Sequence, residues 1–83
     1  MRREDRSTYA TAVWETFRER HQPTRFTMTS SEFNLVSRWM DANVPLAVVL
    51  EGLHGLEWHP KTLLGCERAV GDEIARWART YTV

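Results

Sequence analysis

The chain is poor in most features that would announce a chemistry. It has a single cysteine, Cys66, so no disulfide can form within it and a disulfide-stapled extracellular scaffold is excluded. Charge of one sign is not in excess: eleven basic residues stand against eleven acidic ones. That balance removes the usual electrostatic argument for a dedicated nucleic-acid binder, though not for a local basic patch. Lysine is nearly absent, Lys61 being the one example, so the basic residues are almost all arginine. Arginine suits bidentate binding of carboxylate or phosphate, but a GC-rich coding sequence accounts for the bias as well. No apolar run approaches the roughly 20 residues that span a bilayer. The opening Met1-Arg2-Arg3-Glu4-Asp5-Arg6 leads into an amphipathic segment, not a signal-peptide core, so a cytoplasmic protein without membrane association is expected. A glycine-rich phosphate loop and a serine nucleophile elbow are also missing.

What is present suits a small folded unit. With 83 residues there is room for one domain and one modest core. Apolar residues make up 42% and charged residues 27%, which excludes a disordered chain. Four tryptophans, Trp14, Trp39, Trp58 and Trp77, each bring a large area to bury. The expectation is a single all-α domain over residues 1–83, with 1–6 frayed, built of four helices at about 7–21, 30–42, 45–55 and 61–79.

In the first helix Tyr9, Val13 and Phe17 recur every four residues, with Ala10 and Trp14 alongside. Gln22-Pro23-Thr24 ends it, because proline disfavours the α conformation in the residue before it. The second helix opens on a capping box, Thr29-Ser30-Ser31-Glu32, and Met28 with Phe33 matches a hydrophobic staple. Phe33, Val36 and Met40 form its expected apolar face, with Leu35 and Trp39 adjoining; Asn43 is a candidate left-handed stop. Pro45 suits the first turn of the third helix. Its stripe of Leu46, Val49, Leu50 and Leu53, widened by Ala47 and Val48, makes this the expected central, most buried helix. Gly52 costs such a helix roughly 1 kcal/mol relative to alanine, which points to a close helix crossing there. Leu56 to Pro60 reads as a connection. Leu63, Cys66, Val70, Ile74 and Trp77 then follow the helical period to the end of the fourth helix.

Each constellation that could carry chemistry has a plainer reading. Glu51 and His54 stand three apart on a helix, as in carboxylate-bridged di-iron bundles, but such sites need two copies of the motif with further inward carboxylates. His54, His59 and Cys66 match no common zinc spacing. Cys66 lies on an apolar stripe, where a thiol behaves as a small hydrophobe. Ser30 to Leu56 reads helix, break, helix, yet Pro45-Leu46-Ala47-Val48-Val49-Leu50 offers no side chain that hydrogen-bonds a base edge. A non-enzymatic chain without metal or cofactor is expected.

The stretch Thr29 to Trp77 resembles the C-terminal helical domain of DnaD-type primosomal proteins and phage helicase loaders. The likeness is carried by Thr29-x-x-Glu32 opening a helix with Leu35 and Trp39, then Leu46, Val49, Leu50 and Leu53, then Leu63, Ile74 and Trp77. The last helix of that family carries a tyrosine where this chain has Cys66. The same stretch also resembles small bacterial helical proteins of unknown function. The family resemblance implies a bacterial or phage setting and a role beside DNA replication or another nucleoprotein machine.

Two function classes follow. The first is an adaptor or accessory subunit that binds a larger protein assembly or a second copy of itself, with Trp58, His54 and Glu51 as candidate contacts. Its motivation is a chain rich in tryptophan and apolar residues but short of room to hide them. The alternative is a nucleic-acid-binding module that uses the arginine-rich first third: Arg2, Arg3, Arg6, Arg18 and Arg25.

Overall fold

The computed structural model describes residues 6–81. Among these residues the chain forms four helices, α1 (Arg6–His21), α2 (Ser30–Asp41), α3 (Leu46–His54) and α4 (Glu67–Tyr81), with a 3₁₀ turn at Leu63–Cys66 leading into α4. No helix is long and apolar enough to cross a membrane. The expected fraying of residues 1–6 falls, except for Arg6, outside the described residues; Arg6 itself starts α1.

The core grows from α1, which buries Tyr9, Ala10, Val13, Trp14, Phe17 and His21 at helical spacing. α3 packs on both α4 and α1, and α2 packs on α1 and the 3₁₀ turn, so α1 and α3 together make the centre of the fold. The expected burial of α3 nearly all round is not met. α3 is only nine residues long and buries Val49, Gly52 and Leu53; Leu46, Val48 and Leu50 are half-buried and Ala47 is exposed.

Local signals explain most boundaries. Thr29 accepts from the Glu32 N–H while the Glu32 side chain accepts from the Thr29 N–H, which completes the capping box of α2. At the other end the Val44 N–H reaches the Trp39 carbonyl and the Asn43 N–H the Met40 carbonyl, with Asn43 at φ 58°. That is a Schellman stop with asparagine in the left-handed position. Tyr9 then donates its hydroxyl to the Val44 carbonyl at 2.7 Å and ties this break to α1.

Gly52 marks the close crossing. A Cβ there would stand 2.8 Å from the Val70 Cα, so α3 and α4 approach to a distance no side chain permits.

Three expectations shift. Pro45 is the N-cap of α3 and not its first turn, so the helix starts one residue later. α2 buries Glu32, Leu35, Val36 and Trp39, which turns Phe33 outward and leaves Met40 half-buried. Residues 61 and 62 are not helical, and the regular α-helix waits until Glu67. The reason is tertiary. The Leu63 N–H is committed to the Glu32 carboxylate, and Gly65 fits under Pro60 and the Trp58 ring edge, where a Cβ would meet the Pro60 Cβ at 2.7 Å.

Candidate protein-docking surface

The polar interior is organised around one carboxylate. Glu32 is fully buried and accepts from Arg25 Nη1 at 2.6 Å, Arg25 Nη2 at 2.8 Å, the Thr29 N–H at 2.8 Å and the Leu63 N–H at 2.8 Å. Burial alone would push this carboxyl up. The Arg25 guanidinium and the two backbone donors outweigh it and hold the group at about 2. Arg25 also lies over the Trp14 ring, 4.9 Å from its centroid, and donates to the Thr27 and Lys61 carbonyls. One guanidinium thus clamps the loop between α1 and α2 to three other segments.

That clamp has a consequence on the surface. Phe26 follows Arg25 directly and stands 80% exposed, while Phe33, one residue after the buried Glu32, is 45% exposed. The Arg18 guanidinium rests over Phe26 at 5.6 Å. Between α1 and the start of α2 runs an open groove of about 520 Å³, lined along α1 by Ala10, Thr11 and Trp14 and closed by Met28 and Phe33. A shallower depression beside Ser30 and Asn34 shares Met28 and Phe33. The Trp14 and Phe33 rings and Met28 therefore border one concavity, and Phe26 stands exposed on the clamped loop before it.

The residues singled out from sequence do not converge. Trp58 is 56% exposed and lies against Gly65 in the connection after α3. His54 and Glu51 are exposed on α3, and Glu51 borders a separate groove of about 210 Å³ with Val48, Glu73, Arg76 and Trp77. Among the described residues no hydrogen bond or ion pair joins Glu51, His54 and Trp58 to one another. Phe26 and Phe33 escaped the sequence reading. Phe26 carried the same signal as Trp58, an aromatic in a linker outside the periodic stripes, and the staple pattern placed Phe33 in the core.

The arginines are also dispersed. Arg2 and Arg3 lie outside the described residues. Arg6 holds Asp41 at 2.9 Å, and Arg18 reaches Glu15 at 3.7 Å and the Pro23 carbonyl at 3.5 Å. Arg25 is consumed by Glu32. Each of these three already has an internal acceptor.

Among the described residues no group of three or more His, Cys, Asp or Glu side chains is placed to hold a metal. The Cys66 thiol is fully buried, and burial with the nearby Glu32 charge pushes it up to about 12. It stays protonated at neutral pH and serves as a small apolar group.

Comparison with family models, with curated proteins and with solved structures returned no match for this chain.

Proposed function

We propose that this chain is a non-enzymatic helical adaptor that docks on a protein through the groove between α1 and α2. The observation that carries the reading is exposed Phe33, at the start of α2 beside Trp14 and Met28, together with exposed Phe26 on the preceding loop that Arg25 clamps. A monomeric domain gains nothing by holding two phenylalanines in water, whereas a preordered aromatic edge loses little freedom when a partner covers it. The groove is of a size to take one or two side chains of the partner. No cofactor enters this reading.

The resemblance to helicase-loader helical domains supports the same class of role, a small subunit inside a larger assembly. The nucleic-acid alternative draws no support from Arg6, Arg18 or Arg25, whose guanidiniums are already paired.

The test is a photo-crosslinking residue placed at position 33 or, as the control, at position 58, combined with light scattering. Covalent capture from position 33 of a second copy or of one defined protein is expected. It should be lost in the Phe26→Ser, Phe33→Ser double variant, whose melting temperature stays within a few degrees of the parent because both rings are exposed. A strict monomer that captures nothing from position 33 would sink the reading.

A further inference from the structure

The last residue of α1 is a histidine that the fold buries, at 5% exposure. Its Nε2 lies 3.1 Å from the Leu53 carbonyl oxygen. A carbonyl only accepts, so Nε2 carries the proton, and in the neutral ring Nδ1 is then a bare lone pair. Facing it at 2.9 Å is Nδ1 of His59, from the connection between α3 and the 3₁₀ turn. This contact closes only when a single proton lies between the two nitrogens. It joins residues 38 positions apart and fixes the connection that carries Trp58 to the end of α1. Beside it Gln22 donates to the Pro60 carbonyl at 3.1 Å, a second tether that does not titrate.

The proton count decides whether the contact survives. With both rings neutral, the His59 Nδ1–H donates to His21. With one added proton, whichever ring is charged donates to the other, and the bond persists. With two, both Nδ1 atoms carry hydrogen and oppose each other at a distance where only one fits. The groups that face His21 are all cations or become so: His59 from the connection, His54 from α3 and Arg20 from α1 itself. None of them welcomes the second proton, and burial opposes it most strongly, so His21 titrates below the ordinary histidine value.

We propose that His21 and His59 form a proton-counting latch, closed with one or no added proton and opened by the second, which frees the connection around Trp58 on acidification. This goes beyond the adaptor reading and does not depend on it. The released segment is a second aromatic surface, on a different element from the Phe26–Phe33 edge.

The test uses the full chain, with backbone amide order parameters from NMR relaxation compared residue by residue at pH 7.5 and pH 5. His59→Gln is the informative variant. Its amide donates to a neutral His21 and its oxygen accepts from a charged one, so the link persists at every pH. In the parent, the order parameters at 57–59 should fall on acidification from the rigid-backbone value of about 0.85 to below about 0.6, while those of Val13 and Leu35 stay at about 0.85. In His59→Gln, residues 57–59 should stay rigid at both pH values. The latch is refuted if the parent shows no local loosening, if the loosening appears only together with Val13 and Leu35, or if His59→Gln loosens as the parent does.

Discussion

Replacing Glu32 with glutamine keeps the shape of the side chain and removes its charge, and the structure allows the cost to be worked out. Four N–H donors converge on the native carboxylate. A carboxamide brings one acceptor oxygen and an NH₂ group that must point at donors, so two of the four N–H groups lose their partner. The Arg25 side chain, only 23% exposed, is left with an uncompensated charge. The titration behaviour gives an independent scale. Holding the carboxyl at about 2 instead of 4.5 corresponds to about 3 kcal/mol in favour of the folded, ionised form, at about 1.4 kcal/mol per pH unit. The two arguments agree on a loss of about 3 kcal/mol, from a total that for this length should be about 4–12 kcal/mol. In urea the midpoint should fall by about 2–3 M for a domain of this size. The pH dependence supplies a second reading. Because the folded value is depressed, the contribution of Glu32 is fully present above pH 4.5 and is lost as pH falls from there towards 2. Glu32→Gln should abolish that acid phase as well as lower the plateau. A loss under about 1 kcal/mol, or an acid phase unchanged in the variant, would refute the assignment of this carboxylate as the hub of the fold.

Two backbone positions give further predictions. Gly52→Ala should destabilise by about 1–3 kcal/mol in urea unfolding, since the added Cβ meets the Val70 Cα at 2.8 Å and outweighs the roughly 1 kcal/mol that alanine gains in a helix. Asn43→Gly should be neutral or stabilising by up to about 1 kcal/mol, and Asn43→Ala should destabilise by a similar amount, because φ is 58° there. Thermal melts of the two variants with opposite signs would support the Schellman geometry, and equal signs would contradict it.

How far the sequence could be read depended on whether a signal was local. The capping box at Thr29 and Glu32, the left-handed stop at Asn43 and the close crossing at Gly52 each follow from a few residues and their own backbone preferences, and all three stand in the structure. The face of α2 was rotated because apolar character alone counted Phe33 and Met40 inward. A buried glutamate at position 32 is invisible until Arg25 and Leu63 are known to meet it. The late start of α4 has the same origin, since the Leu63 N–H answers to a carboxylate 31 residues away. The docking surface was the least legible. Exposure of Phe26 follows from the clamp on Arg25, and pairing of Arg6 with Asp41 links residues 35 apart. No periodicity reports contacts of that range.

The Glu32 carboxylate also ties together parts of the chain that meet at very different entropic cost. Its partners lie 3, 7 and 31 residues away along the chain. The first two need only the segment from Arg25 to Glu32, a loop that closes on the timescale of tens of nanoseconds. The third joins the start of α2 to a segment beyond α3, and the entropy of closing a loop grows with its length. A backbone N–H from the 3₁₀ turn thus completes a shell whose other members are local. The same carboxylate that caps α2 holds a distant turn in register, so one side chain couples a local helix signal to the tertiary fold.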